Sequence, residues 1–445
     1  MTLSLTSIRE DPDVAGQWGS FEYTGWQDEN LSWKEGVYIG DWSWLEEVRI
    51  SGPDALRFFS ELAVNDMSRF AVDQAKHAIF CSAAGKVIGE GVLMRQSETD
   101  FVFNARSPIN SWLEYSWNRG DYSGTFAITL RDHKLQVSGP RSLELLESLI
   151  GEQVRRIPFM HVGHATVAGH NVQLLRQGMA GEVGFEMQGD AEFTAEIRDA
   201  VLAAGEPLGI RRLGARSAMI NHLEAGFPTV TVDYLAAVTG DAERDFLEQY
   251  GQPVADVRSP EWARSIVRCL KVKGSFEGAE VSDWFRSPVE LGWARNIHLD
   301  HDFYGREAVA RELAAPIRAI VSLVWNLDDV AEVVGSVLAA DHPYDFMDLP
   351  RAQWFAMYAN SVRVGEREIG VATSRGYSYF FRSMLSHAVL ETEFTAPGTQ
   401  VEVVWGDPGH PQKRIRATVH RYPFKDDKRK VDLGSYSAPG MNAPS

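Results

Sequence analysis

RISGPDALRFFSELA, residues 49–63, returns as LQVSGPRSLELLESLIG at residues 135–151, about 87 positions further along the chain. Each copy reads as an apolar strand, a Ser-Gly-Pro turn and an amphipathic helix. In the first copy Leu56, Phe58, Phe59 and Leu62 form one helical stripe behind a Ser-Gly-Pro-Asp start. The offset is too long for a solenoid, whose repeats run about 20–50 residues, and it predicts two related α+β lobes. Between the copies, HAIFC (77–81), GKVIGEGVLMR (85–95) and DFVFNAR (100–106) are β-rich runs parted by turn residues, the pattern of a small antiparallel sheet. Upstream, residues 36–50 mix Trp42, Trp44, Val48 and Ile50 with charges, which suits an early strand or a strand entering a helix.

A third unit begins near Ala315. IRAIVSLVW, SVRVGEREIGVATS, YFFRSMLSHAVL, TQVEVVWG and RIRATVHRYPF follow as short alternating runs, predicting a C-terminal β-barrel or sandwich. The expected organisation is a two-lobed region over 1–310, a β-domain over 311–425 and a flexible tail over 426–445, where charges give way to Ser, Pro, Gly and Asn. A length of 445 residues supports such a division, since single cores stop growing well below it.

The formal charge of −17 repels phosphate backbones and argues against nucleic acid as a partner, without forbidding an anionic ligand in a cleft lined by arginine. Two cysteines, Cys81 and Cys269, make neither a disulfide framework nor zinc spacing and are expected to be buried thiols. MTLSLTSIREDPDV lacks a basic start and an apolar stretch, so no secretory signal is read. No run of about 18 apolar residues spans a membrane, and the expected location is the cytoplasm. HExxH, CxxC, GxxxxGK, GxGxxG and GxSxG are all missing. His161 and His164 could share a helix face, as could His298 and His301, but neither pair brings a third ligand, and no metal site is assigned.

Four segments, in order, carry a likeness to a known family: GKVIGEGVLM with DFVFNARSPINSWL (85–94 and 100–113), RQGMAGEVGFEM (176–187), LGARSAMINHLEAGFP (213–228) and LGWARNIHLDHDFYGREAV (291–309). QVSGP at 136–140 falls where that family has its Gly-Pro word. They resemble the tetrahydrofolate-binding T-protein (aminomethyltransferase) family. KVIGEG, HDFYGREAV, GYSY and VVWGDPG resemble most its branch that demethylates methoxylated aromatic acids such as vanillate and syringate. The likeness covers residues 30–425. It implies the α+β folate-binding fold of two lobes plus a C-terminal barrel, tetrahydrofolate as cofactor, a small methoxylated aromatic substrate, and transfer of its methyl group to N5 of the folate.

By that resemblance Glu186 is the carboxylate that accepts the donors along one edge of the pterin, a match of two oxygens to two N–H groups. Gln136, Asn104, Arg106, Arg216, Phe227 and Trp293 are further cofactor candidates, with Glu182 a weaker one. Phe227 stands where the demethylases have a tryptophan, and a phenyl face still stacks. Arg106, at a strand end, could clamp a carboxylate, so it joins Trp44 and Ala218 as substrate candidates. Asp41, Glu90 and Tyr23 are the catalytic candidates. The demethylases have a tyrosine where Ala218 stands, leaving the donor to the departing oxygen open among Tyr23, Tyr38, Tyr234 and a water held by Asp41. Gly89-Glu90 replaces the paired aspartates of the glycine-cleavage branch, which weighs against aminomethyl transfer. Asp302-Phe303 replaces the cysteine of the iron–sulfur assembly branch, a non-catalytic folate binder. N-demethylation of a glycine-like substrate, or a donor such as a chlorinated methoxybenzoate or dimethylsulfoniopropionate, stays as an alternative.

Overall fold

The computed structural model describes residues 19–251, 272–339, 341–351 and 357–438. Along the chain the strands are β1 (Tyr38–Asp41), β2 (Glu46–Ser51), β3 (Ala75–Cys81), β4 (Val87–Arg95), β5 (Asp100–Ala105), β6 (Thr125–Thr129), β7 (Asp132–Ser138), β8 (Val162–Val167), β9 (His170–Leu175), β10 (Gly184–Asp190) and β11 (Arg211–Arg212). After the short β12 (Val272–Lys273) come β13 (Arg318–Trp325), β14 (Met357–Tyr358), β15 (Asn360–Val364), β16 (Arg367–Ser378), β17 (Ser383–Glu391), β18 (Gln400–Trp405) and β19 (Lys413–His420).

The first sheet runs β3-β4-β5-β2-β6 and the second β8-β9-β10-β7-β1-β11. These are one plan used twice. β2 leads through Ser-Gly-Pro into the helix Ala55–Leu62, a three-stranded meander and the helix Ile109–Arg119; β7 does the same through Ser142–Ile150 and Thr194–Gly205. The leading strand of each unit sits in the other unit's sheet: β1 pairs antiparallel with β7, and β6 with β2. The Ser-Gly-Pro glycine is the seat for this exchange. Gly52 has φ of 145° and a Cβ there would lie 2.5 Å from the Gly124 Cα; Gly139 has φ of 137° and its Cβ would lie 2.6 Å from the Gly36 carbonyl oxygen. No other residue tolerates both that backbone and that approach.

Glu47 and Lys134, at matching positions of β2 and β7, form a fully buried ion pair where the two units meet. Burial works against ionisation of Glu47, but Lys134, Thr129 Oγ1 at 2.6 Å and the Arg131 amide hold its carboxyl below the usual range. Each lobe has its own core. One is aromatic, around Phe58, Phe59, Phe80 and Phe101, and includes Cys81, whose thiol is pushed up by burial; the other is aliphatic, around Leu135, Val137, Leu145 and Val201. Cys269 lies outside the described residues.

The third unit is a closed barrel, β13-β17-β16-β15-β18-β19. Closure removes the sheet edges a sandwich would leave. The helix Leu327–Ala339, which the strand-rich pattern did not announce, follows β13. Barrel and lobes are tied through Glu224, which is buried, accepts from Trp33 Nε1 at 2.8 Å and Ser378 Oγ at 2.6 Å, and forms an ion pair with Lys34 at 2.5 Å.

Two expectations need correction. Neither histidine pair shares a helix: His161 makes an isolated bridge to Gln74, His164 lies on β8, and His298 and His301 lie in irregular chain before the helix Arg306–Ala314. Residues 426–438 do not fray. They run back over the second lobe as a strap whose Leu433 is buried in that lobe's core. Arg155 donates to the Leu433 and Tyr436 carbonyls, Arg176 donates to those of Arg429 and Val431, and the Tyr436 hydroxyl donates to Pro140 O.

Candidate active site

A cavity of about 760 Å³ opens where the two lobes, the helix Ala218–Ala225, residues 291–298 and the strap converge. β3, β4 and β5 bring one wall. In their register His77 opposes Val92 and Val92 opposes Asn104, while Glu90 lies two residues from Val92, so alternation puts all four on the cavity face. The close packing of this wall depends on Gly91, where a Cβ would sit 2.5 Å from the Asn104 carbonyl oxygen. The opposite wall is the second sheet, with Glu186 on β10 and Gln177 just beyond β9.

Glu186 is a buried carboxylate with amide partners only. Gln188 donates to Oε1 at 2.5 Å and Gln177 to Oε2 at 3.4 Å. Burial raises its pKa; the two amides and the charge of Lys134, itself bound to Glu47, partly oppose the rise. On the facing wall Asn104 is buried and both its amide oxygen and nitrogen lack a protein partner. A buried amide without partners costs on the order of 1–3 kcal/mol, so the wall is built to hydrogen-bond something else. Two buried amide groups and a carboxylate around an apolar-lined space fit a flat heterocycle with donors and acceptors on its edge, such as a pterin.

Glu90 Oε2 stands 2.8 Å from His77 Nε2, and His77 Nδ1 stands 3.2 Å from Asn296 Nδ2. The Trp293 ring meets His77 edge-on at 5.0 Å and Tyr234 at 6.2 Å. His222 lies between the Trp42 ring, stacked at 6.2 Å, and Phe227, edge-on at 5.8 Å, and burial lowers its pKa to about 4, so it is neutral. Phe227 lines the cavity with one face covered by the Arg429 guanidinium at 4.6 Å, which Asp427 holds in a two-pronged ion pair.

Of the residues singled out in the sequence, Glu186, Glu90, Asn104, Arg106, Trp44, Phe227 and Trp293 line this one cavity. Five do not. Tyr23 lies before the first described helix, its ring under Arg212 at 3.8 Å and its hydroxyl accepting from that guanidinium at 2.8 Å. Asp41 accepts from the Ser43 amide at 2.9 Å in the turn after β1. Arg216 turns away to Glu22 at 3.0 Å. Ala218 is buried at the start of its helix, whose cavity face is Met219 and His222. Gln136, fully buried and in register with Glu186, is not part of the lining; it donates to the Gln177 carbonyl at 2.8 Å and so positions the loop that carries Gln177, while its own amide oxygen has no protein partner among the described residues. Glu182 is likewise structural: Lys425, just before the strap, is 2.5 Å away in a buried pair. His77, Gln177, Gln188 and His222 went unmarked in the sequence; alternation along HAIFC would have placed His77 on the face of Glu90 had the hairpin register been known. Among the described residues Asp345, Asp407 and His410 are close enough to share an ion, but they lie outside the cavity and bond one another. No helix among the described residues is long and apolar enough to cross a membrane.

The family model described as the GCVT N-terminal domain matches residues 14–241. The chain is 32% identical over 439 residues to a sesamin methylene transferase of Sinomonas sp. (strain No.22), covering 95% of this chain and 94% of that one. It is 27% identical over 425 residues to a syringate O-demethylase of Sphingobium sp. (strain NBRC 103272 / SYK-6), covering 91% and 89%. The crystal structure of the glycine cleavage system aminomethyltransferase T from Bartonella henselae shares the fold, with a TM-score of 0.66 at 17% identity over 96% of this chain and 99% of that one. The chain therefore belongs to the GCVT family, with the aminomethyltransferase-like fold, and is an enzyme of its tetrahydrofolate-dependent methyltransferase and demethylase group.

Proposed function

We propose that this enzyme moves a methyl group from a methoxylated aromatic acid to N5 of tetrahydrofolate, leaving a phenol. The observation that carries the reading is Glu186, a buried carboxylate on a cavity wall that only amides partner, facing a second wall with the unsatisfied amide of Asn104. Bound tetrahydrofolate supplies the nucleophilic amine. Glu186 would accept from the amino and ring N–H groups of the pterin, Asn104 would meet its remaining polar edge, and the open face of Phe227 would pack on its ring. Trp44 and Arg106 share the cavity with them and suit an aromatic ring bearing a carboxylate. An aryl methyl ether reacts slowly because its leaving group is a phenolate, the conjugate base of an acid with pKa of about 10. The protein must therefore hold the methyl carbon close to the amine and deliver a proton to the departing oxygen.

The name of the 32% identical relative favours a second reading, transfer of a methylene group from an aromatic methylenedioxy ring. The products separate the two. Purified protein incubated with tetrahydrofolate and a panel of methoxybenzoates should yield 5-methyltetrahydrofolate by mass. Methylene-tetrahydrofolate from a methylenedioxy compound, with no methyl product from any methoxybenzoate, would replace the first reading with the second. Glu186→Gln should weaken tetrahydrofolate binding about 10- to 100-fold by calorimetry, the loss expected when hydrogen bonds to a charged acceptor become neutral ones.

A further inference from the structure

We infer that Arg375 marks a second binding site, a subsite between the barrel and the helix Ala218–Ala225 that takes one carboxylate. A cavity of about 40 Å³ lies there, with the helix on one side and Arg351, Tyr358, Ser374 and Arg375 on the other. It shares His222 and Phe227 with the large cavity, so the two are neighbours. One water needs about 10–15 Å³ of such space. The cavity therefore suits about three heavy atoms, the number in a carboxylate group.

The chain builds this site by interrupting a strand. β16 and β17 pair Thr373 with His387 and then Gly376 with Leu385, three residues against two, so β16 bulges at Ser374-Arg375. Ser374 has a left-handed φ of 50°, a strained setting that persists only where its surroundings hold it. A bulge re-aims a side chain, and this one sets Arg375 on the cavity. Next to it, the bare Gly376 lets the helix come close: a Cβ there would lie 2.6 Å from Ile220 Cδ1. Arg351 bridges to Gly376 across the chain, which brings a second guanidinium beside the first.

Arg375 is only 8% exposed. Among the described residues it makes no ion pair; its guanidinium donates to Met384 Sδ at 3.7 Å and lies over the Trp405 ring at 5.1 Å. Neither partner carries a charge. Asp348 offsets part of the guanidinium charge from further off, and Asp233 is committed to Thr373 at 2.7 Å and His387 at 3.0 Å. Burial lowers the Arg375 pKa to about 10, with the Arg351 charge adding to the fall, so the group is still a cation at neutral pH. A buried cation is costly until an anion meets it. Ser374 and Tyr358 add hydroxyl donors, His222 is neutral, and no acid stands among the described lining residues. Such a lining fits a carboxylate, whose two oxygens match the planar fork of a guanidinium.

The carboxylate has three possible bearers: a small free acid, the glutamyl end of tetrahydrofolate, or an aromatic acid. Calorimetry on the full chain separates them by pairing each with a mate that lacks the carboxylate. The pairs are formate with formamide, tetrahydrofolate with 6-methyltetrahydropterin, and 3-methoxybenzoate with 3-methoxybenzamide. Arg375→Met should weaken at least one acid about tenfold or more and leave its mate within about twofold. Loss for formate alone names a free acid, loss for tetrahydrofolate its tail, and loss for methoxybenzoate the aromatic acid. Arg351→Met should act in the same direction, and it serves if the first variant misfolds by circular dichroism. If no acid depends on either arginine more than its mate does, the site is overturned. The site stands apart from the methyl-transfer reading: a wild type that binds no tetrahydrofolate sinks that reading and leaves the other two pairs to decide this one.

Discussion

Glu186 and His222 line the same cavity, and burial pushes each toward its uncharged form. The consequences for pH have opposite signs. Glu186 is raised, so between its unfolded and folded pKa the native state holds the extra proton and this group makes the fold less stable as pH rises. Its role in binding runs the other way, since the carboxylate is the stronger acceptor. Tetrahydrofolate affinity should fall as pH drops through the raised pKa, at a pH above the ordinary glutamate value of about 4.3, and Glu186→Gln should abolish that dependence in a calorimetric pH series. His222 is lowered to about 4 from 6.5. Between those values the unfolded chain binds the proton and the native one does not, so stability is lost as pH falls through the window. The full effect is about 3 kcal/mol, and urea unfolding should show a smaller change from pH 6.5 to 4 in His222→Gln than in the wild type. At this scale the sequence was a fair guide to which residues gather but a poor one to how they point. The likeness made Arg216 a cofactor candidate and could not show that its guanidinium turns to Glu22. His77 carried no motif because its partner is set by hairpin register, which residue types alone do not specify.

Among the elements, the strap decides whether the cavity keeps its roof. It places Asp427, Arg429 and Lys430 on the wall, and the residue that anchors its start is Lys425, just before it, which reaches Glu182 and the Ala180 carbonyl at 2.9 Å. Removing one partner of such a pair leaves a buried charge, so Lys425→Ala should cost about 3–5 kcal/mol. Hydrogen exchange should then show amides of 426–438 opening first. The strap was illegible in the sequence for a physical reason. Its charges and small residues fit solvent as well as they fit a surface, and what orders it is a set of carbonyl contacts to Arg155 and Arg176, far away in the chain. The helix after Ser-Gly-Pro was legible because stripe and turn are local. Gly91 belongs to the same scale: Gly91→Ala should force β4 from β5, lowering stability by about 1–3 kcal/mol, measurable as a reduced denaturation midpoint.

For the whole molecule, the echo in the sequence announced two lobes but hid their exchange of strands, because the seats at Gly52 and Gly139 are filled by backbone from the other unit. Coexpressed fragments divided between Gly120 and Gly124 should therefore copurify and bind folate. Either fragment alone should aggregate through an edge whose backbone donors and acceptors have lost their cover. The charges of Glu47 and Lys134 add selectivity, since two copies of the first fragment would set glutamate against glutamate at the join.

The exchange also sets a timetable for synthesis. β1 leaves the ribosome early, but the strand it pairs with, β7, is translated only after the whole first meander, and β2 must likewise wait for β6. The nascent chain thus has no complete first sheet until the leading strand of the second unit has emerged, and its β1 stays unpaired until β7 follows.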